Sequence, residues 1–372
     1  MNPKRIRALV VDDSSVVRHA ISDALKRDPE IEVVGTASDP YEARDKILSL
    51  NPDVLTLDIE MPRMDGLTFM RVLQKHRPMP VVVISSLTHA GSRIALDVLE
   101  AGAVDVMAKP TSAWGIGDLG AQLCQRVKGA AVASLHRQFA GEAAPQPPSL
   151  VASARFNPRQ IILLGASTGG TEALKFLLTR LPDGLPGICI VQHIPPVFSR
   201  AFAERLNEAC AFEVREAASG DELRPGLALI APGDYHMMIV RDNGRYRVVL
   251  NQGPAVHYTR PAVDMLFNSA VACAGHHAVV ALLTGMGSDG ATGMKKLQTA
   301  GAATFAQNEA TCVVYGMPRA AVELGAVDKI LPLDEIPGAL VRAVLSRSDT
   351  GNSTGTRAFS PSQTKSTHSI NP

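Results

Sequence analysis

The sequence predicts an α/β protein built from two doubly wound parallel-sheet domains, an N-terminal (βα)5 unit and a C-terminal Rossmann-like unit. Three observations predict it. Short Val/Ile/Leu runs alternate with helix-period segments from residue 5 onward, the pattern of parallel strands covered by helices on both faces. The stretch GEAAPQPPSLVASA breaks this alternation with a Pro/Ala/Ser-rich, linker-like composition. The alternation then restarts at RQIILLGAS, and 372 residues suit two domains of ordinary size. These features place the units at residues 5–122 and 155–347, with a linker over 123–154.

Each element has its own local signal. IRALVV is a short buried strand, and VVRHAISDALKRD has helical spacing. IEVVGTA is a second strand, and PYEARDKILSL a helix with proline in its first turn. DVLTLD and MPVVVIS are strands separated by the helix GLTFMRVLQKH. RIALDVLEAGA is a helix closed near Gly102, and VDVMAK is the fifth strand. In the second unit GICIVQH, LALIAPG and HAVVALLTG are the clearest strands after QIILL. HMMIVRDNG and YRVVLNQGP pair as a hairpin through the Asp-Asn-Gly turn. The Ser/Thr/Gly-rich tail, 348–372, has too few large apolar residues to join a core and is expected to be disordered.

Composition narrows the function classes. A net charge of +1 gives no global electrostatic case for nucleic acid. Five scattered cysteines without a CxxC argue against a disulfide framework or a zinc site. The start, MNPKRIRALVVDDSS, reads as neither a signal peptide nor a membrane anchor, and a cytoplasmic location is expected.

Polar residues then stand at successive strand ends. Asp12 and Asp13 end the first strand, Asp58 the third, Ser85 the fourth and Lys109 the fifth. In a parallel sheet these carboxyl ends share one edge, where ligands bind. Three convergent carboxylates repel one another, so a divalent cation with a preference for oxygen, Mg²⁺, is the natural neutraliser. An aspartate nucleophile, a metal, a lysine and a hydroxyl together suit phosphoryl transfer. Aspartates at strand ends also cap helices. Capping accounts for any one of these residues, but not for the whole set converging on one edge.

VVDDS, LDIEMPRMDGL, VVVISSLT and VMAKP resemble a two-component receiver domain. The resemblance implies Asp58 as phosphoacceptor, Asp12, Asp13, Asp58 and the Glu60 carbonyl as Mg²⁺ ligands, and Ser85 and Lys109 as switch residues. Val106 stands where many receivers carry an aromatic switch residue.

The second unit opens on GASTGG, Gly165 to Gly170, between a strand and a helix. As a phosphate loop it lacks the G-x-G-x-x-G spacing and the Lys-Ser/Thr of a P-loop. As a nucleophile turn it reads G-x-S-x-G in the strand–turn–helix setting that motif requires, with Ser167 at its centre. A serine nucleophile needs a base and the base an orienting acceptor. His193 ends the next strand, and Asp289 comes after ALLTG in a glycine-rich loop, so all three lie on one sheet edge. The Thr168 N–H, from elbow geometry, and the Met286 N–H are oxyanion-hole candidates. His257, His276 and His277 are rival bases beside turns or in a helix-to-strand connection. Asp289 also suits a helix cap, and Arg260 either a substrate contact or a structural ion pair. The order Ser–His–Asp differs from that of α/β-hydrolases, so convergence on the triad is the expectation.

LLGASTGGTEAL, VQHIPPVFSRAFAERLN, LIAPGDYHM, HYTRPAVDMLF, LLTGMGSDGATGM and AQNEATCVVYGMPRAA resemble the methylesterase domain of the chemotaxis protein-glutamate methylesterases. The resemblance implies a Ser167–His193–Asp289 triad with the Met286 N–H in the oxyanion hole. It also implies glutamyl methyl esters on methyl-accepting chemoreceptors as substrates, methanol as product, and deamidation of receptor glutamines. Ser288 stands where the family often has Asn. A chemotaxis-type histidine kinase would be the phosphodonor, Mg²⁺ would serve the receiver, and the hydrolase reaction would need no cofactor. The receiver is expected to pack over the active-site edge until Asp58 is phosphorylated. Two other classes compete. A dead interaction module would lack the triad residues, and a transcriptional regulator would need a basic helix-turn-helix effector in place of the second αβ alternation.

Overall fold

The first strand, β1 (Ile6–Val11), forms because four consecutive apolar residues, Ala8 to Val11, are buried between helices on both faces of the sheet. In the computed structural model, which describes residues 4–86, 88–109, 118–133, 156–157 and 159–348, the N-terminal domain runs β1, α1 (Ser15–Lys26), β2 (Ile31–Ala37), α2 (Pro40–Leu50), β3 (Val54–Asp58), α3 (Gly66–His76), β4 (Val81–Ser85), α4 (His89–Glu100), β5 (Asp105–Ala108) and α5 (Asp118–Ala131). The helix starts are encoded locally. Ser14, Asp39, Asp65 and Thr88 each cap a helix, accepting a backbone N–H of its first turn. The five strands are parallel in the order β2-β1-β3-β4-β5, a doubly wound topology with a switch point between β1 and β3. One face carries α1 and α5 over Val10, Ile21, Leu25, Val82 and Val127. The other carries α2, α3 and α4 over Leu9, Ile47, Leu55, Phe69, Met70 and Leu96.

One boundary expected from the sequence needs correction. Residue 122 does not end the N-terminal domain, because α5 continues through Ala131. The reason is periodic burial: Leu123, Cys124, Val127 and Ala130 all face the domain core, so this segment is helix rather than linker. The remaining expected linker up to residue 155 and the tail beyond Ser348 lie outside the described residues, apart from the short stretch that ends α5.

The C-terminal domain begins with β6 (Ile161–Ala166), α6 (Gly170–Leu178), β7 (Ile188–Gln192) and α7 (Phe198–Ala209). It continues with β8 (Glu213–Glu216), β9 (Leu227–Ile230) and the hairpin β10 (His236–Asp242) and β11 (Arg245–Asn251). The last part holds α8 (Val263–Cys273), β12 (Ala278–Leu282), α9 (Ala291–Thr299), β13 (Ala303–Gln307), α10 (Met317–Glu323), β14 (Lys329–Leu331) and α11 (Ile336–Ser348). Seven strands make one parallel sheet in the order β14-β13-β12-β6-β7-β9-β8, with β10 and β11 forming a separate antiparallel ribbon. Helices α6, α7 and α11 cover one face over Leu164, Leu174, Phe202 and Leu340. Helices α8, α9 and α10 cover the other over Leu163, Phe267, Met294 and Ala321. The strand order places β6, β7 and β12 side by side, so their carboxyl ends are neighbours. No helix among the described residues is long and apolar enough to cross a membrane.

Candidate active site

The glycine corner forms for steric reasons. Gly169 sits at φ 75°, where an L side chain is strained, and a β-carbon there would stand 2.5 Å from Val313 Cβ. A β-carbon on Gly165 would strike the Val263 side chain. The chain therefore leaves β6 in a tight turn closed by the Gly170 N–H on the Ser167 carbonyl at 2.6 Å. The Ser167 N–H donates to Thr284 O beyond β12 at 3.0 Å, and Gln192 Nε2 donates to the Ser167 carbonyl at 2.9 Å. Both neighbouring strands thus fix the turn.

Two residues that directly follow strands, Ser167 after β6 and His193 after β7, meet there with Asp289, which lies in the loop between β12 and α9 rather than at a strand end. Ser167 Oγ lies 3.0 Å from His193 Nδ1, and His193 Nε2 lies 2.8 Å from Asp289 Oδ2. All three are buried. With Nδ1 facing the serine, the acceptor tautomer carries its proton on Nε2 and donates it to Asp289. Thr259 Oγ1, 3.3 Å from Nε2, is a second neighbour of that proton. Asp289 also accepts the Val263 N–H at 2.6 Å and the Asp264 N–H at 2.9 Å, at the start of α8. Burial raises the Asp289 pKa, but the His193 bond and these N–H donors outweigh it and hold the carboxyl below the usual carboxylate range. Asp289 thus orients His193, but it does not cap its own helix: α9 follows Gly290 without a side-chain cap bond, and the N-terminus that Asp289 binds is that of α8.

The rival bases are otherwise engaged. His257 Nε2 pairs with Asp264 Oδ2 at 3.2 Å. His276 and His277 pack against each other with tilted rings just before β12, at the amino edge of the sheet. Arg260 forms the structural ion pair, donating to Asp234 at 2.6 and 3.0 Å and to the Gln252 and Gly253 carbonyls. Thr168 and Met286 join Ser167 and His193 around a cavity of about 110 Å³. Ser288 lines it as well.

The same cavity has a wall from the N-terminal domain. Gln122, Gln125 and Arg126, on one face of α5, close it. Gln122 Nε2 donates to the Tyr258 carbonyl at 2.5 Å, and a β-carbon on Gly129 would stand 3.3 Å from Met286 Cβ. A larger groove of about 730 Å³ continues from His193 between α5 and the 254–261 loop. Further along the domain interface, Lys175 of α6 pairs with Glu100 of α4 at 2.6 Å. Arg205 of α7 pairs with Asp97 and Glu100. None of these cross-domain contacts was legible in the sequence, because residues at such separations carry no spacing signal.

A second polar centre lies on the N-terminal sheet edge. Asp12, Asp13 and Asp58 bring carboxylate oxygens within 4.8 Å of one another. Lys109 Nζ stands 2.6 Å from Asp58 Oδ2 and 3.2 Å from Asp12 Oδ2. Burial raises the Asp58 pKa to about 6, with Lys109 opposing and Asp12 adding to the rise. Burial likewise raises that of Asp12. Asp12 Oδ2 is buried with the Lys109 ammonium as its ionic neighbour, and one lysine cannot neutralise three carboxylates. This all-oxygen donor set fits a hard divalent cation such as Mg²⁺. Glu60 gives its N–H to Asp58 Oδ1 at 3.1 Å, while its own carboxylate accepts Ser86 Oγ–H. Ser85 is fully buried, and its hydroxyl faces the Gly91 carbonyl at 3.4 Å. Val106 is buried in the core beside α4, filling its site with a small aliphatic side chain.

Comparison with known proteins identifies both domains. Residues 162–340 match the family described as CheB methylesterase, and residues 8–116 match the response regulator receiver domain. A relative from Syntrophus aciditrophicus, protein-glutamate methylesterase/protein-glutamine glutaminase 2, is 51% identical over 91% of this chain and 99% of its own length. One of the same name from Pseudomonas aeruginosa is 50% identical over 92% of this chain and 98% of its own. Another from Bdellovibrio bacteriovorus is 48% identical over 92% and 99%. The chain belongs to the CheB methylesterase family, with a response regulator receiver domain preceding the methylesterase domain.

Proposed function

We propose that the chain is a phosphorylation-controlled serine hydrolase that demethylates glutamate methyl esters on chemoreceptors, releasing methanol, and deamidates receptor glutamines, releasing ammonia. The relatives' names support protein glutamate methyl esters and protein glutamines as the substrate class. The observation that carries the reading is the continuous chain Ser167–His193–Asp289 at the floor of one cavity. In this mechanism His193 Nδ1 takes the Ser167 proton as Oγ attacks the side-chain carbonyl. Asp289 holds the tautomer and stabilises the imidazolium. The Thr168 and Met286 N–H groups are the proposed donors to the tetrahedral oxyanion. His193 then returns the proton to methoxide or to the amide nitrogen. Water cleaves the acyl-enzyme by the reverse use of the same base.

Control is assigned to the receiver. Asp58 is the proposed phosphoacceptor, with a chemotaxis-type histidine kinase as donor. Asp12, Asp13, Asp58 and the Glu60 carbonyl would hold Mg²⁺, which when bound offsets the negative charge of the incoming phosphoryl group. Lys109 holds Asp58 in place and opposes its protonation. Ser85 and Lys109 are the proposed sensors of the new phosphate. The docked α5, which walls the cavity, accounts for restraint before phosphorylation. Withdrawal of α5 would admit a receptor helix.

Methanol release from a methylated receptor tests the nucleophile. Ser167→Ala is expected to reduce the rate by roughly 10⁶-fold, the size of loss seen when a triad serine is removed. Retained release would remove Ser167 from this role.

A further inference from the structure

The receiver does more than cover the cavity, because it holds a side chain of the nucleophile turn. Asp105, buried at the start of β5, divides its carboxylate between the two domains. Oδ1 accepts the Val106 N–H at 2.8 Å and pairs with the Arg126 guanidinium of α5. Oδ2 accepts the hydroxyl proton of Thr168 at 2.6 Å. Thr168 is next to the nucleophile in sequence, lines its cavity and is 1% exposed. Its carbonyl is held in turn by Thr284 Oγ1 at 3.0 Å. Among the contacts of α5, β5 and the nucleophile turn, this one joins a receiver carboxylate directly to the residue beside Ser167.

We propose that Asp105 is a polar latch: it captures the Thr168 hydroxyl in the docked state, and its withdrawal frees that hydroxyl as a donor to the substrate in the nucleophile cavity. The argument rests on charge and on which groups travel together. A carboxylate one hydrogen bond from an oxyanion-site residue opposes the negative charge that develops during acyl transfer. A hydroxyl turned toward the substrate favours it. Arg126 belongs to the same domain as Asp105, so undocking removes the two as a neutral pair. No unpaired charge is left on either side, and the latch can release without the cost that separating a buried ion pair would impose. The bond given up at this point is the single one to Thr168. A captured hydroxyl also fixes the side-chain rotamer, so one contact sets both access and the donor's direction.

The proposal rests on Ser167 as nucleophile, and the test separates the two. Methanol release from a methylated receptor is measured with the full chain, first without a phosphodonor. Asp105→Ala is expected to raise the unphosphorylated rate roughly tenfold, the effect of removing one charge-assisted hydrogen bond, and to lower stimulation by phosphodonor to match. The gain should persist with Thr168→Ser, which keeps the hydroxyl, and vanish with Thr168→Val, which removes it. Amide exchange over residues 118–131 gives a readout independent of turnover. Asp105→Ala should speed exchange in the wild-type background and add nothing in Thr168→Val. If Asp105→Ala loses Asp58 phosphorylation through unfolding of the receiver, Asp105→Asn replaces it, with the same direction expected. An unchanged unphosphorylated rate in a folded Asp105 variant, or a gain that survives Thr168→Val, overturns the latch. Activity that survives Ser167→Ala overturns the nucleophile assignment instead.

Discussion

At Asp58, burial and function pull in opposite directions. The side chain is fully buried beside Asp12, and its pKa rises to about 6 despite Lys109 at 2.6 Å. The raised value means the folded state favours the protonated form. This preference costs nothing at pH values below the unfolded carboxyl pKa, develops as pH rises toward 6, and is complete above it. Without Mg²⁺, Asp58→Asn is therefore expected to stabilise the chain at pH 8 by on the order of 2–3 kcal/mol and to have little effect near pH 4. Thermal melts of the two proteins at both pH values check this, and added Mg²⁺ should shrink the pH 8 difference by favouring the charged carboxylate. Equal melting shifts at both pH values would contradict a charge-based strain. Ser167, His193 and Asp289 were legible because each comes soon after a recognisable apolar strand and neighbouring strand ends converge. The orientation of the imidazole was not, nor was the Thr259 hydroxyl beside it, since a loop threonine carries no periodicity. Asp105 was invisible as a functional residue because its partner Thr168 belongs to the other domain.

The elements divide between those encoded locally and those set by docking. β1, β2, α2 and α3 match their sequence segments because capping residues and apolar runs bound them sharply. Helix α5 runs past the domain boundary expected at residue 122 because its Gly129-Ala-Ala terminus has the composition of a linker, whereas burial of Val127 and Ala130 extends it. That same glycine lets α5 approach Met286 closely. Gly129→Ala adds only a β-carbon 3.3 Å from Met286 and gains helix propensity, so the docked state should persist. Gly129→Leu needs space that Met286 occupies, and it should raise the unphosphorylated hydrolysis rate several-fold by prying α5 away. Comparing the two variants without phosphodonor checks this. A fall in rate for Gly129→Leu in both phosphorylation states would mean that the helix presses on the active site instead of separating from it.

In the whole molecule, two sheet edges face chemistry and one interface joins them. The carboxyl ends of β1, β3, β4 and β5 hold the acidic centre, and those of β6, β7 and β12 lead to the serine. Between them, α5 walls the nucleophile cavity, while Glu100, Asp97, Lys175 and Arg205 tie α4 to α6 and α7. The sequence held both centres, because each centre is built within one domain. It could not hold the docking, which depends on surfaces brought together only after each domain has folded. The most direct measurement is methanol release by the full chain from a methylated receptor, with Mg²⁺, before and after addition of a small-molecule phosphodonor. A rise on addition that is lost in Asp58→Asn and absent altogether in Ser167→Ala is the predicted result. A rate indifferent to the phosphodonor, in a chain whose Asp58 is phosphorylated, would contradict control of the serine by the receiver.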